Sequence, residues 1–89
     1  MFEWDEPKSQ ATFRARGFDF AFASRIFDHD FYEIEDARRD YGERRLIATG
    51  RIEDQFYTVV YTQRGDARRI ISAREASRKE RNAYRALYG

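Results

Sequence analysis

Arginine carries most of the positive charge of this 89-residue chain, and the charge is concentrated toward one end. Of the 17 basic residues, 15 are arginine. Residues 64–89 hold eight basic groups and three acidic ones, whereas residues 1–63 hold nine and thirteen. A planar guanidinium can bind a phosphate through two hydrogen bonds. The pattern therefore predicts a polyanionic partner for the basic end, although a GC-rich genome would also favour arginine codons.

Other kinds of chemistry have little support in the residue types. The only histidine, His29, lies between Asp28 and Asp30, but adjacent side chains diverge and no second histidine is present, so we interpret it as a structural or surface residue. The absence of cysteine excludes disulfides, thiolate metal sites and cysteine nucleophiles. No glycine-rich phosphate loop or serine elbow occurs. We expect neither a cofactor nor a metal.

Composition predicts one folded domain over residues 1–89. Apolar residues make up 42% of the chain, charged residues 37% and aromatic residues 17%, which excludes disorder and leaves the aromatic residues to supply much of the core. No apolar segment is long enough for a signal sequence or a membrane-spanning helix. We expect a soluble, cytoplasmic protein.

The helices and strands that position the arginines are predicted from the spacing of apolar residues and from the residue types typical of helix and strand ends. Helices are predicted over residues 6–16, which end before Gly17, over a short segment that Asp19 caps, and over residues 77–88. Strands are predicted at residues 31–35, 45–51, 56–62 and 68–73. Residues 2–4 alternate between apolar and polar side chains, which is typical of an edge strand or an extended arm. The predicted fold class is α+β, with two N-terminal helices, a four-stranded antiparallel sheet and a C-terminal helix.

Several motifs resemble those of the BrnT-type toxins of bacterial type II toxin–antitoxin modules. The most specific is a strand ending in Ile70-Ile71-Ser72-Ala73-Arg74, which leads into a helix with Glu80 and Tyr84 four residues apart. The others are Phe2-x-Trp4-Asp5-x-x-Lys8, Gly50-Arg51 and Val59-Val60-Tyr61-Thr62-x-Arg64. The resemblance implies a RelE-like fold and a ribonuclease that halts translation. It also implies a DNA-binding antitoxin of the BrnA type, in a 2:2 assembly that represses its own operon.

The resemblance also implies a site. Lys8, Arg51, Arg64 and Arg74 match basic motif positions of the family and are predicted to bind phosphate and to stabilise the transition state. We also expect Arg16, Arg69 and Arg78 to bind RNA. As an alternative, Arg51, Arg64 and Arg74 could be residues of the sheet surface that pair with carboxylates.

Metal-free RNA cleavage by the ribose 2′-OH also needs groups that accept and donate protons. Lys8, Glu80 and Tyr84 are the candidates. Each has a structural alternative: Lys8 as a solvated helix residue, Glu80 as the partner of Ser77 in a capping box, and Tyr84 as a core residue.

Two departures from the family pattern keep another function open. Thr12 and Arg16 stand where the family has Asn and His, and an arginine at position 16 is a poor general base because a guanidinium has no free lone pair to accept a proton. The chain could therefore be an inactive homologue that binds the antitoxin as a co-repressor, or a basic RNA-binding domain. The acidic stretch 28–43 would repel RNA; it could keep the polyanion on the other side of the molecule, meet basic groups of a partner, or be a solvated loop.

Overall fold

The computed structural model describes residues 1–89 and confirms the α+β class. Three α-helices and one 3₁₀ helix pack on a sheet whose strands lie in the order β1-β5-β4-β3-β2. The strands are β1 (Phe2–Trp4), β2 (Phe31–Glu35), β3 (Leu46–Ile52), β4 (Gln55–Arg64) and β5 (Ala67–Glu75). The helices are α1 (Glu6–Arg16), α2 (Phe20–Ala23), a 3₁₀ helix (Ser24–Asp28) and α3 (Arg78–Tyr88).

The predicted sheet was wrong in one respect: it has five strands and is mixed. β2 to β5 form the expected antiparallel meander, but β1 joins β5 in parallel, with Phe2 opposite Arg68 and Trp4 opposite Ile70. Three alternating residues cannot specify a partner so distant in sequence. The pairing is stabilised by packing, because the Phe2 and Trp4 rings contact Phe27 and Phe20 beneath the sheet.

The end signals of the helices act much as predicted. Gly17 ends α1 with a φ of 87°, a conformation that glycine adopts without steric cost. Ser77 and Glu80 form the predicted capping box of α3. The second helical segment differs from a regular helix, because its α-helical part covers only Phe20–Ala23 before it tightens into the 3₁₀ helix. Asp5 precedes α1 without a capping hydrogen bond from its side chain.

One face of the sheet is buried under α1, α2 and the 3₁₀ helix. The core here includes Phe20, Ile26, Val59 and Ile70, all at most 2% exposed. Gly50 in β3 faces Ile26, where an added Cβ would lie 2.7 Å from the Ile26 Cβ. A side chain at position 50 would therefore push the 3₁₀ helix away from the sheet.

The opposite face is covered at one end by α3. Tyr84 packs on Phe56, and the Tyr88 hydroxyl donates to the Phe31 carbonyl at 2.9 Å. The helix therefore crosses from the end of β5 to β2. No helix of the structure is both long and apolar enough to cross a membrane.

A free sheet edge lies beside the start of α3. β1 pairs only with residues 68–70 of β5, so residues 71–75 have no further strand alongside. A hydrogen bond from the Phe20 amide to the buried Ser9 Oγ, 3.0 Å long, fixes the corner between α1 and α2. The last residues of this free edge and the last residue of α1 line a common groove.

Candidate functional site

The groove is lined by Arg16 at the end of α1 and by Arg74 and Glu75 at the end of β5. Its volume is about 290 Å³. Neither the Arg16 guanidinium nor the Glu75 carboxylate forms an ion pair. Two predicted site residues that are 58 positions apart, Arg16 and Arg74, are therefore brought to one place with charge available for a ligand.

A hydrogen-bond network holds Arg74 in position. Its Nη1 and Nη2 donate to Glu80 Oε1 and Oε2 at 2.7 and 2.9 Å. Glu80 Oε1 also accepts from the Ser77 amide at 2.8 Å and from Thr58 Oγ1 at 3.1 Å. The Thr58 hydroxyl lies 2.8 Å from that of Thr49 in the adjacent strand. Because Arg74 has five N–H groups, its Nε–H and the second proton on Nη2 remain free to bind an anion.

The network also determines the charge of Glu80. Burial favours the neutral acid, but hydrogen bonds from Arg74, Ser77 and Thr58 outweigh it and lower the Glu80 pKa to about 2. The same contact with Glu80 raises the pKa of Arg74. At neutral pH Glu80 is therefore a carboxylate engaged in positioning Arg74, and it has no proton to donate. The structural alternative for Glu80, the capping box, is also present.

Tyr84 lies one helical turn beyond Glu80, with its ring in the core. The ring is 6% exposed and its centroid lies 5.3 Å from that of Phe56. Burial raises the Tyr84 pKa, so the hydroxyl stays protonated at neutral pH. The structure therefore gives Tyr84 a packing role next to the site.

The other predicted site residues are spread over the surface. Lys8 is exposed on α1, and eight residues of helix separate it from Arg16 by about 12 Å. Arg64 lies six residues along β4 from Thr58, the partner of Arg74, and is thus about 20 Å from Arg74. Neither residue lines the groove.

Three further arginines have their own surroundings. Arg51 donates from Nε to the Glu53 carbonyl at 2.8 Å, near the β3–β4 turn. Arg69 lies 3.8 Å from the carboxylate of Glu3. Arg78 is the first residue of α3 and is exposed. The alternative interpretation of Arg51, Arg64 and Arg74 was pairing with carboxylates, and Arg51 and Arg74 do have such partners, Asp54 at 3.7 Å and Glu80 at 2.7 Å.

Sequence reasoning missed a second cavity beside the groove. It has a volume of about 320 Å³, and it shares Arg16 and Glu75 with the groove. Its other lining residues are Phe13, Gly17, Phe18, Asp19, Phe22 and Tyr57. The available signal was the set of phenylalanines on both sides of the helix-ending Gly17, which a compact turn must bring together.

A comparison of the sequence with models of protein families identifies the family of the chain. A family model described as "Ribonuclease toxin, BrnT, of type II toxin-antitoxin system" matches residues 4–80. The chain belongs to the BrnT family. The match covers most of the chain, including Arg16, Arg74, Glu75 and Glu80, and confirms the resemblance seen in the sequence motifs. A comparison with curated proteins returns no significant match.

Membership in this family identifies the class of substrate and the kind of partner. BrnT proteins are ribonuclease toxins of type II toxin–antitoxin systems, so RNA is the substrate class and an antitoxin is the partner. Two of the three residues that line the groove are arginines, whose charge is opposite to that of a polyanionic substrate. The expectation of a polyanionic partner for the arginine-rich end is consistent with this family.

Proposed function

We propose that this BrnT-family chain is a metal-independent endoribonuclease that acts in the cytoplasm and inhibits translation. RNA is cleaved in the groove lined by Arg16 and Arg74, and an antitoxin of the BrnA type neutralises the toxin. The observation that carries the proposal is this pair of arginines, with free guanidinium protons, at an open sheet edge of a BrnT-family chain.

The reaction is attack of a ribose 2′-OH on the adjacent phosphorus. The bond from O2′ to phosphorus forms as the bond from phosphorus to O5′ breaks, which leaves a 2′,3′-cyclic phosphate and a 5′-hydroxyl. The proton of the 2′-OH passes to water, and O5′ takes a proton from water. Arg16 and Arg74 stabilise the negative charge that builds up on the phosphoryl oxygens.

Glu80 acts as a positioning residue in this scheme. Its carboxylate contacts two nitrogens of Arg74 and directs the remaining N–H groups toward the groove. Lys8, Arg51, Arg64, Arg69 and Arg78 lie outside the groove and would attract and hold the flanking RNA by charge.

The first experiment incubates labelled RNA with the purified toxin in EDTA and identifies the product ends. Cyclic phosphate ends are expected from the wild-type chain, and Arg16→Ala should slow cleavage on the order of 10²-fold. Arg14→Ala is the matched control, because Arg14 is exposed on the same helix and does not line the groove. An equal loss in both variants, or RNA that is cut only when a metal is added, would contradict the proposed mechanism.

A second candidate function is that of a non-catalytic co-repressor. It is favoured by the positions of the proposed proton carriers: Lys8 is distant from the groove, Glu80 is ion-paired and Tyr84 is buried. Intact RNA at high protein concentration, together with operator binding by the toxin–antitoxin complex, would favour this function.

The proposed assembly contains two toxins and two antitoxins and binds operator DNA through the antitoxin. Its support is the family, whose members are type II toxins. The acidic stretch 28–43 is proposed to meet basic groups of a partner, since Glu33, Asp40 and most of its other carboxylates are exposed. The mass of the co-purified complex, measured by light scattering at low and high salt, tests the stoichiometry and the contribution of charge.

A further inference from the structure

The aromatic cavity beside the groove has the dimensions of a small ligand site. Its volume of about 320 Å³ is at the lower end of the range for such pockets. Phe18 and Phe22 both contact Tyr57 edge-on, with centroids 5.0 and 5.4 Å from the Tyr57 ring. Phe13 also lines the cavity and is 53% exposed, so part of its ring is accessible to a ligand. A planar ligand entering this cavity would contact aromatic surface on more than one side.

The polar groups of the cavity lack partners in the folded chain. Tyr57 is only 9% exposed, yet its hydroxyl makes no hydrogen bond to any protein atom. The carboxylate of Glu75 and the guanidinium of Arg16 are also free of ion pairs. Asp19 differs, because its Oδ1 accepts the Phe22 amide at 2.8 Å as a helix cap. The cavity therefore offers an acceptor, Glu75, and two donors, Tyr57 and Arg16.

Tyr57 stays a donor at neutral pH. Burial raises its pKa first, and the negative charges of Glu75 and Glu53 raise it further. Tyr57 and Glu75 stand directly opposite each other on β4 and β5, so the acceptor and one donor lie on the same face of the sheet and line the cavity together.

We propose that this cavity binds a guanine base of the RNA substrate, adjacent to the phosphate held by Arg16 and Arg74. The inference rests on the proposed ribonuclease function and adds a base preference to it. The common wall of the two cavities, formed by Arg16 and Glu75, allows one nucleotide to place its base in the first and its phosphate in the second. Aromatic side chains stack on bases in single-stranded RNA.

Guanine fits the polar groups better than the other three bases. It alone presents two adjacent donors, N1–H and the N2 amino group, which a carboxylate can accept together. The adjoining Hoogsteen edge carries the acceptors O6 and N7, which arginine binds. Adenine and cytosine present a single amino donor beside a ring acceptor, and uracil has one N–H between two carbonyls. Glu75 would therefore leave an acceptor unmatched, or face repulsion, with each of these bases.

The test measures binding of non-cleavable 2′-O-methyl RNA pentamers with four uridines and one central base. Guanine, hypoxanthine and adenine are compared by fluorescence anisotropy; hypoxanthine lacks only the 2-amino group of guanine. The wild-type toxin should bind the guanine pentamer roughly tenfold or more tightly than the adenine pentamer, with hypoxanthine between them. Glu75→Gln should remove most of this preference, and Tyr57→Phe should weaken guanine binding.

Asp66→Asn is the matched control, since it removes one exposed carboxylate in the β4–β5 turn at the other end of the sheet. It should leave the preference for guanine unchanged. Equal binding of guanine and adenine by the wild-type toxin would overturn the proposal, as would a preference that survives in Glu75→Gln.

Cleavage of the same pentamers with free 2′-OH groups separates this inference from the proposed function. Guanine preference in binding without any cleavage supports the base site and refutes the ribonuclease function of the isolated chain. Cleavage that is indifferent to the central base refutes the base site and leaves the ribonuclease function standing.

Discussion

Replacing Glu80 with glutamine tests whether the network around Arg74 stabilises the fold. The substitution keeps the shape of the side chain and one acceptor oxygen, but it removes the charge and replaces the second acceptor of the Arg74 contact with a donor nitrogen. In the wild-type chain that charge is 18% exposed and contacts an Arg74 side chain that is 40% exposed. Glu80→Gln should therefore lower the free energy of unfolding at neutral pH.

The magnitude follows from the pKa of Glu80. A fall from its ordinary value of 4.5 to about 2 corresponds to about 3 kcal/mol. Solvent screening at the half-exposed Arg74 reduces this, so we expect about 1–2 kcal/mol. A carboxyl group with a lowered pKa in the folded state stabilises the fold above pH 4.5, and this contribution is lost as the pH falls toward about 2.

Urea unfolding followed by circular dichroism, at several pH values between 7 and 2.5, measures the effect. The difference between wild type and Glu80→Gln should be largest at pH 7 and should shrink below pH 4.5. Glu35→Gln serves as the control, because Glu35 pairs with Arg44 at 3.0 Å on the surface and should contribute less than about 1 kcal/mol. A Glu80→Gln protein as stable as wild type at pH 7, or a difference that does not change with pH, would refute the reasoning.

Substitutions at two further positions test the packing on the two faces of the sheet. Gly50→Ala should destabilise the fold by about 1–3 kcal/mol, because the added Cβ would lie 2.7 Å from the Cβ of Ile26. The midpoint of urea unfolding measures this loss. An unchanged midpoint would show that the 3₁₀ helix moves freely. Tyr84→Ala should lower the free energy of unfolding by about 3–5 kcal/mol, because it removes a ring that packs on Phe56. Tyr84→Phe should change this free energy little, since the Tyr84 hydroxyl makes no hydrogen bond to the protein. If Tyr84→Phe folds normally but loses ribonuclease activity, the hydroxyl has a catalytic role in addition to the packing role of the ring.

Local signals in the sequence predicted most elements of the fold. The capping box of Ser77 and Glu80, and the left-handed Gly17, depend on neighbouring residues alone, so both were predictable. The strand from Gln55 to Arg64 has strong apolar and β-branched character and was also predicted. The parallel strand Phe2–Trp4 could not be assigned a partner, because its pairing with β5 depends on contacts more than 60 residues away.

The features of the site also divide into those that the sequence predicts and those that only the tertiary structure reveals. The sequence by itself determined the excess of arginine in residues 64–89, the family motifs and the pairing of Ser77 with Glu80, since these are matters of composition and short spacing. Only the tertiary structure decided that Arg16 and Arg74 share a groove, that Lys8 and Arg64 lie outside it, and that an aromatic cavity adjoins it. The physical reason is that a groove forms where β1 stops pairing with β5 and α1 ends, and both depend on long-range packing that no local pattern encodes.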